Sequence, residues 1–341
     1  MNKYATFLWV IAGLGIVASH RHAAASTPWL VEVDYRQLVS QADLIYERPA
    51  AAPVQGQPIG NGRMGTMIWT SPGAIHMQIN HVDVFAVNKN HAGKRGGPAD
   101  YCGGTAKITI ELGGQPLLAG ETFRQCLSLY GAECAIGGKD VNVRCFVSAV
   151  EDVLAIEVDD RRATPQPLRV KVSMLRKPEV RTGGHVARSA FVDGANRVSL
   201  VQRFQEKEHY NASAVAVAIV ENGVEVAAPS EQERAVVAPA ARGKRTVLIS
   251  SAAAWQPGLD VGAAASCVLT KAMQRPLEDL RREHGAWWSD FWSRTFIDLT
   301  RGDGVAEFME RLRTLQLYYM ASSSRGRLPA KYNGSIFAVD G

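Results

Sequence analysis

Residues 168–174 read LRVKVSM, an unbroken alternation of apolar and polar side chains. Period two places successive side chains on opposite faces of an extended strand, one face toward a core and one toward water. The same pattern holds in residues 107–112 (KITIEL), in the stripe of Leu154, Ile156 and Val158, and in residues 244–250 (KRTVLIS), while residues 214–220 form a nearly continuous apolar run. Turn chemistry separates these runs at Gly113-Gly114, Gly137-Gly138-Lys139-Asp140, Thr182-Gly183-Gly184, Asp193-Gly194 and Asn222-Gly223. From residue 64 to residue 252 the pattern predicts about a dozen short strands with no helix between them. Strands with one wet face belong in antiparallel sheets that stack in pairs. A doubly wound α/β sheet is excluded because its crossover helices are missing. The expected fold is therefore mainly β, a large antiparallel β-sandwich.

Beyond residue 270 the period changes. Leu277, Leu280, His284, Trp287, Trp288 and Phe291 recur at helical spacing, and Pro276 suits a first turn. A second helix is predicted from near Gly304, with Val305, Phe308, Leu312, Leu315 and Tyr319 on one face, ending around residues 322–325 before Gly326 and Pro329. Residues 295–300 between the helices read as a short strand-like piece. The aromatics of Trp287-Trp288-Ser289-Asp290-Phe291-Trp292 need a partner surface; packing of this helix against the sandwich is the expected one, with a sugar-stacking platform the alternative.

Composition sets the remaining bounds. The 341 residues are 46% hydrophobic and 21% charged, a globular balance with room for a sizeable core. The net charge of +5 is dispersed, with Arg161-Arg162 and Arg281-Arg282 its longest basic clusters, so no nucleic-acid surface is expected. At the N-terminus, Lys3, the apolar residues 5–18 and the small residues Ala23-Ala24-Ala25 have the form of a secretory signal peptide over 1–25. The expectation is a secreted or periplasmic protein with no membrane contact after cleavage, since no later stretch approaches a membrane span. The five cysteines form no zinc spacing. Cys145 reads as a small core hydrophobe on an alternating strand, and Cys126 and Cys134 flank a turn at Tyr130-Gly131 across which they could face each other.

Few motifs carry chemistry. Gly60-Asn61-Gly62-Arg63-Met64-Gly65 satisfies G-x-G-x-x-G, but a strand follows it where dinucleotide binding needs a helix. Its glycines are better explained by a close backbone approach. Asn80, His81 and Asp83 cluster at a strand end, where they fit catalysis, sugar binding or an Asx turn. There is no nucleophile elbow, zinc-protease motif or calcium loop, so no metal and no cofactor are expected. Asn211-Ala212-Ser213 fits an N-glycosylation acceptor.

Taken together, Pro58-Ile59-Gly60-Asn61-Gly62-Arg63-Met64-Gly65, Met77-Gln78-Ile79-Asn80 and Asp83-Val84-Phe85 resemble the opening of the family-95 glycoside hydrolases, which include α-L-fucosidases and α-galactosidases. His284, Trp287, Trp288, Phe291, Trp292 and Arg294 resemble the linker helix of that family, and residues 317–330 (LYYMASSSRGRLPA) its first barrel helix and the stretch after it. A closer likeness is to an uncharacterised domain-of-unknown-function relative, through residues 100–104, 158–162 and 320–326. The resemblance implies a supersandwich-like domain over 26–270, a helical linker over 271–300 and, over 301–341, the start of a truncated (α/α)6 barrel. It also implies inverting hydrolysis of an oligosaccharide or polysaccharide, in which one carboxylic acid protonates the leaving oxygen and a second group activates water. The catalytic groups of the family fall beyond residue 341, so the expected partners are a carbohydrate substrate and, within the protein, the missing helical barrel. Asn61, Arg63, Asn80, Asp83 and Asn333 are the expected contacts to sugar hydroxyls or to the barrel. The family segment L-N-E-D-T-L-W is replaced here by residues 79–85, INHVDVF. The rival expectation is a non-catalytic carbohydrate-binding or scaffolding sandwich.

Overall fold

A computed structural model describes residues 32–85, 104–113, 117–182, 184–299, 304–327, 329 and 335–339. Residues 1–25 with the signal-peptide pattern, Cys102 and Asn333 lie outside the described residues. Among those described, seventeen strands form two antiparallel sheets. In chain order they are β1 (Leu44–Tyr46), β2 (Gln57–Gly60), β3 (Met64–Ser71), β4 (Ala74–His81), β5 (Gly104–Glu111), β6 (Arg124–Ser128), β7 (Glu133–Gly138), β8 (Val141–Val147), β9 (Val153–Asp160), β10 (Leu168–Ser173), β11 (Glu179–Thr182), β12 (His185–Asp193), β13 (Arg197–Glu206), β14 (His209–Ile219), β15 (Glu225–Ser230), β16 (Glu233–Ala238) and β17 (Gly243–Ala254). The larger sheet runs β1-β6-β7-β8-β9-β17-β14-β13-β12-β11, the smaller β15-β16-β10-β5-β4-β3-β2.

The alternating stripes meet between the sheets. Ile108, Ile110, Val170 and Val172 of the smaller sheet share one buried cluster with Val143, Ile156, Val217 and Ile249 of the larger. The continuous apolar run in β14 has a different cause, since both its faces are covered. Val215, Val217 and Ile219 face the sandwich core, while Ala212, Ala214, Ala216 and Ala218 face the outer side under α2 (Val261–Met273). That helix was not expected from the sequence, nor was the short α1 (Tyr35–Ser40). Asp260 caps α2 by accepting from the Ala263 amide.

The two expected helices are present as α3 (Leu277–Trp292), led by Pro276, and α4 (Val305–Ser323), led by Gly304 at φ +75°. Residues 295–299 form no strand, contrary to expectation. The aromatic cluster packs inward as expected. Trp288 and Trp292 are buried in the sandwich core, and the Trp292 indole donates to the Leu129 carbonyl at 3.2 Å. Two further readings are corrected, one by register and one by burial. Cys126 lies opposite Ala135 and Cys134 opposite Leu127, so Cys126 and Cys134 project to opposite faces of their hairpin. Asn211 is fully buried and donates to the Asp83 and Ala254 carbonyls, so the folded chain presents no glycan acceptor there.

Candidate functional site at one end of the sandwich

The glycine motif of residues 60–65 forms the turn from β2 to β3. Asn61 closes that turn by accepting from the Arg63 and Met64 amides at 2.9 Å each. Its own amide, fully buried, donates to the Ser148 carbonyl (3.0 Å), the Glu151 carbonyl (2.9 Å) and Asp152 Oδ1 (2.9 Å). The turn of the smaller sheet is thereby tied to the β8–β9 turn of the larger. Arg63 completes the tie through Nε to Asp152 Oδ1 at 2.7 Å, with both side chains about a quarter exposed.

Across this end runs a strap, residues 322–327, that continues α4. It pairs with the turn in both directions: the Gly62 amide donates to the Ser322 carbonyl and the Arg325 amide to the Gly62 carbonyl, each at 2.7 Å. The glycines make room for it. A Cβ at Gly60 would lie 2.4 Å from the Ser322 carbonyl oxygen, and one at Gly62 (φ +82°) would lie 2.4 Å from Arg325 Cβ. One at Gly326 would lie 2.1 Å from Val82 Cγ1. Separations below 3 Å between such atoms are steric overlaps, so only glycine fits. Tyr318, fully buried and stacked on Trp288 at 5.4 Å, donates its hydroxyl to the Pro58 carbonyl at 2.7 Å.

Of the residues expected to meet sugar, Asn61, Arg63, Asn80 and Asp83 are gathered at this end. Each holds a piece of the chain. Asn80, with 1% exposure, donates to the Ile336 and Ala338 carbonyls at 2.8 and 2.7 Å, anchoring the 3-10 turn Ser335–Phe337. Asp83 Oδ1 accepts from the Arg327 amide at 3.1 Å. The sequence reading missed their partners: Asp152, Ser322, Arg325, Arg327 and the two tryptophans beneath the arginines. Arg325 stacks 4.1 Å above the Trp287 ring and Arg327 4.9 Å above Trp255. Burial, and then the neighbouring Arg63 charge, push the Arg325 guanidinium below its ordinary range, while Asp152 opposes them. The signal available in sequence was the small pair Ser322-Ser323 followed by Arg325-Gly326, whose chemistry needs a partner to be read.

The rim thus combines arginine donors and two carboxylates, groups that hydrogen-bond hydroxyls, with the arginines Arg325 and Arg327 lying over the indoles of Trp287 and Trp255. Among the described residues no group of three His, Cys, Asp or Glu could hold a metal ion.

Residues 45–226 match the model of a family described as a domain of unknown function, DUF5703, in its N-terminal part. No curated protein matches the sequence. Among solved structures, a protein described as a kojibiose phosphorylase from the human microbiome is similar at a TM-score of 0.48 and 11% identity, over 83% of this chain and 42% of that one. A family GH92 glycosyl hydrolase is similar at 0.47 and 11%, over 85% and 41%. The family GH92 α-mannosidase from Bacteroides thetaiotaomicron is similar at 0.44 and 8%, over 85% and 41%. The chain spans about two fifths of the length of these proteins.

Proposed function

Because the chain belongs to the DUF5703 N-terminal domain family, which is defined by sequence and not by an activity, we propose a function from the motifs and the geometry of the strap. In this reading the chain is the exported β-sandwich part of a glycoside hydrolase-like enzyme acting on an oligosaccharide or polysaccharide. The acid and water-activating groups sit on an (α/α)6 helical barrel that packs against α4. The sandwich holds the first helix of that barrel and lends a polar rim to the sugar site.

The observation that carries this reading is the two-way backbone pairing of Gly62 with Ser322 and Arg325. It fixes the C-terminal end of α4 on the sandwich, while Val305, Phe308, Met309 and Leu312 at its other end remain exposed. A helix seated at one end and apolar at the other is placed to receive further helices. The family-95 resemblance of residues 58–65 and 317–330 supports the same order of parts, and a fucoside or galactoside is the first substrate class to test. Arg63 and Asp83 are the rim residues assigned to sugar hydroxyls; Asn61 and Asn80 position the rim by holding its turns.

The test uses protein that carries the helical part. It should release sugar from fucoside or galactoside substrates with inversion at the anomeric carbon, read by proton NMR, while the 341-residue chain alone releases none. Arg63→Ala and Asp83→Ala should each raise KM roughly tenfold, the value of one lost charged hydrogen bond. Sugar release by the chain alone, or unchanged kinetics in both variants, would overturn the assignment.

One observation favours the non-catalytic alternative. On the outer face of the smaller sheet the half-buried Trp69 stacks on His76 at 5.7 Å, and Ser71 and Thr109 bracket the imidazole at 2.8 and 3.3 Å. An indole held rigid on an open sheet is a sugar-stacking surface. Binding of the chain to a glycan array, lost in Trp69→Ala and retained in Arg63→Ala, would select this alternative.

A further inference from the structure

The β7–β8 hairpin turns through two residues, Lys139 and Asp140, with Asp140 at φ +57°. Its register places Cys134 directly opposite Cys145. Directly opposed residues in an antiparallel pair have Cα atoms about 4.5 or 5.5 Å apart according to their place in the ladder, and both values lie within the roughly 4.4–6.8 Å that a disulfide spans. The two side chains also share a face. Cys134 and Ile136 on β7, and Val141, Val143, Cys145 and Val147 on β8, are all buried toward the core, whereas Ala135, Asn142 and Arg144 are exposed. From this geometry we propose that Cys134 and Cys145 are a disulfide site, closed by a disulfide-bearing oxidant while the chain folds.

Both thiols are reduced in this structure and hydrogen-bonded. Cys134 donates to Gln57 Oε1 at 3.4 Å and Cys145 to the Cys134 carbonyl at 3.5 Å. Oxidation would remove these two weak donors and leave Gln57 Oε1 with the Gln125 amide, which donates to it at 3.1 Å. The neighbouring Cys134 sulfur, burial and the Glu133 charge hold the Cys145 thiol well above its ordinary range. The folded interior therefore supplies no Cys145 thiolate, and both sulfurs are wholly enclosed. The bond must form while the hairpin is still open to solvent.

In that step a cysteine thiolate attacks a disulfide such as glutathione disulfide, giving a mixed disulfide and one released thiolate. The second cysteine thiolate then attacks the protein sulfur, forming the Cys134–Cys145 bond and releasing the second thiolate. Two electrons pass to the oxidant, and the two cysteine protons end on the two released thiols. The other described cysteines do not compete: Cys126 projects to the opposite face and Cys267 is exposed on α2.

The bond would fix the floor on which the helices sit. The turn between β6 and β7 accepts from His284 Nε2 at the Gly131 carbonyl, 2.8 Å, and Tyr318 of α4, whose hydroxyl burial pushes well above its ordinary range, shares the core cluster of Cys134 and Cys145. A cross-link there tightens the seat of α3 and α4.

The test is peptide mapping of the whole chain, unfolded and then refolded with reduced and oxidised glutathione. The refolded protein is alkylated in denaturant without reductant and digested with trypsin, which cuts at Lys139 and Arg144 between the two cysteines. Residues 125–139 should be found joined to the peptide that starts at Cys145. The link should survive Cys126→Ser and disappear in Cys134→Ala. Adding reductant to the oxidised wild type should lower Tm by about 5 °C. Full alkylation of Cys134 and Cys145 after oxidative refolding, or a link that moves to Cys126, would overturn the proposal. The decisive mapping uses wild type and Cys126→Ser, so the outcome does not depend on how well Cys134→Ala folds.

Discussion

His284 shows how one buried side chain sets a pH limit on the fold. Its ring lies 4.7 Å from the ring of Phe146 and donates through Nε2 to Gly131, and its Nδ1 is buried with no hydrogen-bond partner. Burial, only partly opposed by the backbone carbonyls and aided by the Arg281 charge, lowers its pKa to about 4. An unfolded histidine titrates near 6.5, so the unfolded chain takes up a proton first as pH falls. Stability is therefore complete above about pH 6.5 and should drain between there and about pH 4, by on the order of 3 kcal/mol. Urea midpoints measured across that window should slope in wild type and flatten in His284→Gln; parallel curves would show that another group sets the limit. Asp160 acts in a lower window. Burial raises its carboxyl, but the Arg162 hydrogen bonds and the Arg162 and Arg245 charges outweigh it and hold the group below the ordinary carboxylate range. Its contribution is intact above about pH 4 and is lost only as pH falls further. The role of His284 was not legible in the sequence, because its partner Gly131 is far away in the chain, whereas the main partner of Asp160, Arg162, lies only two residues on.

Helices and strands were legible in proportion to the contrast between their faces. α3 and α4 announce themselves because large apolar residues recur against charged ones, and Pro276 marks the start of α3. The helix α2 does not, because apart from Val261 and Leu269 its buried residues are the small Gly262, Ala265 and Ala272, matched to the alanine stripe of β14. Small-on-small packing leaves no stripe to see. Over residues 64–252 about a dozen strands were expected and the described residues hold fifteen, β3 to β17; β13 shows no alternation over residues 198–202 because both its faces are buried there. The glycine motif was recognised as a close backbone approach, but its partner, the strap after α4, lies about 260 residues away and no local pattern names it. Gly62→Ala tests that assignment. The new methyl would meet Arg325 Cβ at 2.4 Å on a backbone at φ +82°, so a loss of about 2 kcal/mol or more is expected. Hydrogen exchange should quicken at the Gly62 and Arg325 amides ahead of the sheet amides. Uniform quickening across the sheets would mean that the strap is not a separate docking element.

At the scale of the whole molecule, the sandwich was predictable from alternation alone, whereas the closure of its end by the strap was not. What the chain leaves open is as informative as what it closes. Val305, Phe308, Met309 and Leu312 are 65%, 61%, 48% and 47% exposed, on successive turns of α4 at the spacing of a single helix face. The opposite end of the same helix is pinned through Tyr318, Ser322 and Arg325, so the stripe cannot turn inward without breaking those bonds. A fixed apolar stripe in water favours association with another apolar surface. The purified chain is therefore expected to sediment as a concentration-dependent mixture of monomer and larger species. Phe308→Lys combined with Leu312→Lys should return it to monomer. Neither side chain belongs to the buried core, so Tm should stay within about 1–2 °C of wild type, the range of ordinary surface substitutions. In protein that carries the helical part, the same pair of substitutions should instead lower activity, because there the stripe would be an internal contact. A double variant that sediments like wild type at every concentration would show that this helix face is not an interface and would remove the main structural support for a helical body seated on α4.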